Sequence, residues 1–145
     1  SDKDIKEYSL SEIVFEKKKD ESLDVLMKRI NSSIENIGFE NTANIYSISD
    51  SAKFGGKIGS IKESNLSKKI IDEIENLEEG QISQVIQIGN NFLILKIDKS
   101  KVIKQKIDKN KELEKMIKFE TNRQLNQFSK IYFSKSKINY IINEK

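Results

Sequence analysis

Along this chain, apolar residues first alternate with polar ones and then recur at helical spacing, in an order that predicts most of the elements. Residues 7–15, "EYSLSEIVF", alternate before closing in a compact apolar run, and the basic turn "EKKKDES" follows, which predicts a strand. From Leu23 the apolar positions Leu26, Met27, Ile30, Ile34 and Ile37 lie on one helical face. Asp20 or Ser22 can cap its start and Gly38 its end. "FENTANIYS" predicts a second, short helix with Phe39, Ala43 and Tyr46 facing inward. Ser67 then opens a helix carrying Ile70, Ile71, Ile74 and Leu77, with Gly80 as its left-handed cap. "QISQVIQIGNNFLILKID" reads as two β-rich runs joined by "GNN", whose residues tolerate positive φ in a hairpin turn. The expected order is β-α-α-β-α-β-β, an α+β domain over residues 7–98.

Beyond Asp98 the pattern changes. Residues 99–110 form a charged connector without glycine. Residues 111–145 predict a long helix with Leu113, Met116, Ile117, Leu125, Phe128 and Tyr132 on its stripe, then a short strand in "KINYIIN". A helix of roughly 25 residues is about 37 Å long. A domain already closed by Asp98 leaves that stripe in need of a partner: preceding sequence, a second copy or a client. The plain alternative is that it folds back onto the sheet.

Composition narrows the chemistry. The 145 residues suffice for one domain with a proper core, or for a small domain and an appended element. The net charge is only +3, and lysines alternate with acids instead of forming one basic block. Arginine occurs only at Arg29 and Arg123, so nucleic acid is not an expected partner. Cysteine and histidine are both absent. Thiolate nucleophiles, Cys- or His-ligated metals and Ser-His-Asp arrangements are therefore excluded, and neither a metal nor a cofactor is expected. No apolar run approaches the ~20 residues of a membrane span. The polar start "SDKDIKE" shows no signal sequence and fits a cut inside a longer precursor equally well.

Three of the six glycines, Gly55, Gly56 and Gly59, fall within five positions. Such a cluster either cradles a phosphate or lets a strand bend sharply beside a groove. "GGKIGSIKES" lacks the Walker spacing and is preceded by predicted helices, and no helix starts at Gly59, so phosphate binding is not expected.

"YSISDSAKFGGKIG" resembles the signature of parvulin-type peptidyl-prolyl isomerases: a tyrosine-serine pair, a small acidic turn, Ser-Ala-Lys, then Gly-Gly-x-hydrophobic-Gly. "NLSKKIIDEIENLEEGQIS" is similar to the helix and Gly-x-hydrophobic-Ser turn of that family, and "VIQIGNNFLILKI" to its last hairpin. The resemblance covers residues 7–98 and implies a parvulin (FKBP-like) antiparallel sheet flanked by helices. The tail, "NQFSKIYFSKSKINYIIN", is similar to the carboxyl end of SurA-type periplasmic chaperones, where helix and strand complete a module built mainly from an amino-terminal segment. This implies a periplasmic folding factor. Its partners would be extended segments of unfolded clients, outer-membrane proteins among them, and a chaperone segment preceding Ser1 or a second copy.

The resemblance also implies site residues. The apolar slot for the proline ring falls on Ile58, Leu66, Ile70 and Phe92. Ile70 and Phe92 serve equally as core, and Ile58 and Leu66 are as apt for core as for groove. The family histidines of the first and last strands match Glu12 and Leu93, and its active-site Cys or Asp matches Ser49. A paired-imidazole network is impossible, and Leu93 makes the groove floor more apolar. Glu12 can accept a hydrogen bond from Ser49 or a tyrosine, because a buried carboxylate needs compensation. Binding is expected to be retained and isomerisation weak or lost. The alternative is an active isomerase that uses Ser49 and the slot.

Overall fold

The computed structural model describes residues 2–106. They form strand β1 (Asp2–Glu16), helix α1 (Leu23–Tyr46), a 3-10 turn (Asp50–Phe54), β2 (Lys57–Lys62), a second 3-10 turn (Glu63–Asn65), α2 (Lys68–Ile74), β3 (Ile86–Ile88) and β4 (Asn91–Lys106). The four strands make one antiparallel sheet in the order β2-β1-β4-β3, the α+β class that the pattern predicts.

β1 and β4 are its centre, paired from Asp2 opposite Lys106 to Glu16 opposite Asn91. Side chains alternate across a strand, so each strand feeds two cores. On one face Tyr8, Leu10, Leu93, Leu95 and Ile97 pack with Leu66, Ile70, Ile74 and Ile86. On the other Ile13, Phe15, Phe92 and Ile94 pack under α1 through Leu26, Ile30, Phe39 and Ala43.

Ser22, one of the two candidates, is the N-cap of α1, its hydroxyl accepting from the Val25 N–H. The two predicted helices are limbs of this single element, divided where Gly38 leaves helical geometry (φ 88°, ψ 165°). Side chains satisfy carbonyls at the break: the Thr42 hydroxyl donates to the Gly38 carbonyl (2.8 Å) and the Asn41 amide to that of Ile37 (2.8 Å). The buried Thr42 hydroxyl also pairs with Ser33 (2.7 Å). Ile37, expected on the buried stripe, is exposed, because the first limb ends beside it and the second buries Phe39 instead.

Two boundaries differ from the sequence pattern. α2 starts as expected, with the Ser67 hydroxyl accepting from the Ile70 N–H, but it ends at Ile74. Gly80 does adopt left-handed φ, yet its N–H donates to the Ile97 carbonyl of β4 (2.7 Å), so it seals a sheet edge rather than a helix end. β4 does not stop near Asp98. The register steps from Leu10–Ile97 to Ser9–Lys99, leaving Asp98 as a bulge whose carboxylate accepts from the Ser11 hydroxyl (2.6 Å), and the strand continues to Lys106. Its lysines there meet acids directly opposite on β1, Lys101 with Glu7 (3.3 Å) and Lys104 with Asp4 (2.7 Å). The charged stretch read as connector thus begins as strand. The rest of that connector and the expected helix and strand of residues 111–145 lie outside the described residues.

Candidate functional site

β2 covers β1 only up to Ser11, so the next residues of β1 need other partners for their backbone. The segment 47–56 supplies them. The Ser47 hydroxyl accepts from the Val14 N–H (3.0 Å), the Ile48 N–H donates to the Val14 carbonyl (2.7 Å), and the Glu12 N–H donates to the Gly56 carbonyl (2.8 Å). This last contact explains a glycine. A Cβ at Gly56 would lie 2.3 Å from the Glu12 carbonyl oxygen, and φ is +86°, so only glycine lets the loop backbone touch the strand here. The cluster does also bend β2: the register steps from Leu10–Gly59 to Ser11–Lys57, making Ile58 the extra residue of a bulge.

Glu12 stands opposite Leu95 and alternates with Leu10 and Val14, so its side chain is on the face that packs against α2. It is 4% exposed. The Ser49 hydroxyl donates to its Oε2 at 2.7 Å and the Ser51 hydroxyl to the same oxygen at 2.8 Å. The two hydroxyls are 3.2 Å apart, and the Ser51 N–H donates to Ser49 Oγ at 3.3 Å. Burying a carboxylate is costly unless it is hydrogen-bonded, and these two charge-assisted hydrogen bonds contribute to its compensation. The Ser49 partner foreseen for Glu12 is present. Ser51 had no assigned role, although it belongs to the Ser-Ala-Lys motif; only its folded position beside Glu12 reveals one.

Of the five apolar candidates, four come together. Leu66 (8% exposed), Ile70 (7%) and Leu93 (1%) are members of one buried cluster, and Ile58 packs on its edge, half-buried. The bulge and the turn before α2 therefore give Ile58 to the surface and Leu66 to the core. Phe92 is not with them. It occupies the opposite face of the sheet, stacked on Phe15 with ring centroids 5.7 Å apart, because it is one residue from Leu93 in a strand.

One further polar group belongs to this apolar cluster. Tyr8 is fully buried, and its hydroxyl has no hydrogen-bond partner among the described residues. Burial, reinforced by the Glu63 and Glu75 carboxylates, pushes its pKa up.

This arrangement offers an apolar floor with one half-exposed side chain, beside a hydroxyl held by a buried carboxylate. It is matched by known folds. The structure is similar to a PpiC-type peptidyl-prolyl cis-trans isomerase domain (TM-score 0.57, 21% identity, 66% of this chain and 92% of that one). It is also similar to the parvulin domain of PpiD from Escherichia coli (TM-score 0.54, 22% identity, 68% and 92%). A third similarity is to the foldase protein PrsA from Streptococcus pneumoniae (TM-score 0.54, 15% identity), where 84% of this chain spans 44% of the longer protein. No curated protein sequence matches. The model of the rotamase family, the PPIC-type PPIase domain, matches residues 8–99, so the chain belongs to the parvulin family of peptidyl-prolyl isomerase domains.

Proposed function

We propose that this domain works in a SurA-like folding chaperone, holding extended segments of unfolded clients and turning their X-Pro bonds over slowly. Rotation about such a bond meets a barrier of ~18–20 kcal/mol because it breaks amide resonance. A domain of this kind lowers it by binding the twisted amide better than either planar isomer, without covalent chemistry. The apolar half of that task falls to Ile58, with Leu66, Ile70 and Leu93 beneath it.

The observation that carries the reading is the Glu12 carboxylate. Where the family resemblance puts a histidine, a buried acid accepts hydrogen bonds from the hydroxyls of both Ser49 and Ser51. The hydroxyl nearest to a bound amide is thus committed to the protein, and no imidazole exists to replace it. Gripping survives that loss better than catalysis does. Likeness to a protein called a foldase supports the same role. Residence outside the cytoplasm, as in the periplasm, follows from this reading.

The test measures two quantities on one protein. Titration with an unfolded, aromatic-rich peptide is expected to saturate, whereas cis/trans exchange of an Ala-Pro peptide is expected to be accelerated only weakly at high protein concentration. Absence of saturable binding removes the chaperone reading. Fast turnover favours the second reading, an active isomerase using Ser49, for which the half-buried position of that hydroxyl speaks.

A further inference from the structure

Glu63 and Glu79 mark where the outer strands stop and the central pair runs on as a ribbon. β2 ends with Lys62 opposite Glu7, and Oε1 of Glu63, the next residue, accepts the following β1 amide, the Lys6 N–H (3.0 Å). On the other edge the Gly80 N–H donates to the Ile97 carbonyl (2.7 Å), the Ile97 N–H to that of Gln81 (3.0 Å), and Oε2 of Glu79 accepts the Ser100 N–H (3.0 Å). Past these carboxylates β1 and β4 continue to Asp2 and Lys106, with no third strand beside them among the described residues.

The Lys6 hydrogen bond fixes which way the ribbon's amides point. In an antiparallel ladder the two residues of a pair either exchange both backbone hydrogen bonds or turn both away. The Lys6 N–H is turned away from β4, so its partner Val102 also presents its N–H and carbonyl to the outer edge. The register is unbroken from Asp2 to Ser9, so the same holds for Lys104, opposite Asp4, and for Ser100, opposite Tyr8, whose N–H reaches Glu79. An open edge is a template for another strand, and proteins blunt it with bulges, prolines or charges. Here the carboxylates cover Lys6 and Ser100, whereas the stretch from Val102 carries neither proline nor bulge, and β-branched Val102 is 62% exposed.

From this geometry we propose that the outer edge of β4, from Val102 onward, is a docking strand for an extended acidic polypeptide, which joins the sheet through main-chain hydrogen bonds. The lysines choose the partner. Lys99 and Lys101 stand on one face of the edge and Lys104 on the other beside Val102, so a strand with acids on both faces gains cross-strand pairs. Lys101 and Lys104 already meet Glu7 and Asp4 on the inner side, and an ammonium has donors left for a second acid. A second copy of the same edge would instead set lysine against lysine. Leu93 of the slot lies roughly 30 Å back along the strand, at ~3.3 Å per residue, so this surface does not rest on the reading of the slot.

The experiment uses the full chain and, as probe, a capped peptide alternating glutamate and valine, without proline. Titration followed by amide NMR is expected to saturate, with the Val102 and Lys104 N–H signals shifting and becoming protected from solvent exchange. Methylating every amide of the probe keeps its side chains but removes its donors, and is expected to weaken binding about tenfold or more. A probe with lysine for glutamate is expected not to bind. Val102→Pro removes the outward N–H without touching a hydrogen bond to β1, so the fold is expected to stand while probe binding falls about tenfold or more. Glu79→Ala frees the Ser100 N–H and removes the acid at that corner, and is expected to tighten the probe several-fold. No saturable binding, equal binding of the methylated or lysine probe, or an unchanged affinity in Val102→Pro overturns the proposal. If Val102→Pro does not fold, the methylated probe and Glu79→Ala decide: undiminished binding of the first or no gain in the second overturns it. Val102 and Lys104 amides already protected in the monomer without probe would assign the edge to the chain's own residues 107–145. A dimer by light scattering that Val102→Pro dissolves would assign it to a second copy, and either result overturns the acidic partner.

Discussion

The two faces of the sheet are built from neighbouring residues of the same two strands, yet they are covered in different ways. The α1 face takes Ile13, Phe15, Phe92 and Ile94 and is closed by a helix of 24 residues, whose buried contribution includes Ile30 and Ala43 at 0% exposure. The α2 face takes Tyr8, Leu10, Leu93 and Leu95 and is closed by a helix of only 7 residues. A short helix leaves the far end of β1 to be covered by a loop, and a loop brings hydroxyls and backbone groups where a helix brings aliphatic side chains. An acid is tolerated at Glu12 for that reason, while Thr42, the buried polar residue of α1, is neutral. The face with the weaker cover is the one on which the proposed site lies.

That contrast can be broken at its seam. Gly56→Ala is expected to cost about 3 kcal/mol or more, since the new Cβ strikes a backbone oxygen that cannot move aside and φ is positive. Chemical denaturation checks it, and a loss below about 1 kcal/mol would show that the loop is not tied to the strand. On the sealed face, Ile30→Ala is expected to cost roughly 2–4 kcal/mol, with peptide affinity unchanged in the protein that remains folded. A clear loss of affinity in that variant would mean that the two faces are not separate in function.

Smaller effects sharpen the picture. Thr42→Val removes the hydroxyl that serves the Gly38 carbonyl and Ser33, and is expected to cost about 1–2 kcal/mol by thermal or chemical unfolding. Ile58→Ala inverts the pattern of Ile30→Ala: with the side chain half-exposed, stability is expected to fall by less than about 1 kcal/mol while peptide binding weakens several-fold. The smallest effect is at Tyr8. Replacing an unpaired buried hydroxyl by phenylalanine is expected to be neutral or stabilising by up to ~1 kcal/mol. Because the folded-state pKa of Tyr8 is raised, the neutral form is favoured in the fold. Its contribution is whole below the usual tyrosine value near 10 and is lost as pH climbs from there through the folded value. Tyr8→Phe should therefore flatten part of the alkaline fall in stability, and an identical alkaline limb in both proteins would contradict the burial of that phenol.

Much of this was legible in the sequence because it is local. Ser22 and Ser67 cap helices for reasons contained in four residues, Gly38 offers a backbone that can leave helical geometry at little cost, and the alternation that starts at Tyr8 announces a strand. The Ser-Ala-Lys and Gly-Gly motifs also carry the family resemblance, and with it Glu12 and Ser49.

What only the tertiary structure decided are matters of partnership between residues far apart in the chain. Period-two alternation separates Leu93 from Phe92, but it does not say which of them faces α2; that needs the register with β1. A lysine-rich stretch looks like a solvated connector until Asp4 and Glu7 stand opposite Lys104 and Lys101 and turn it into strand. Ser51 gains a role only when Glu12, 39 residues earlier, is folded against it, and Gly56 shows its purpose only when the Glu12 carbonyl comes too close for any side chain. Backbone propensity and periodicity are properties of neighbours in sequence, whereas the pairing of a buried charge is a property of neighbours in space.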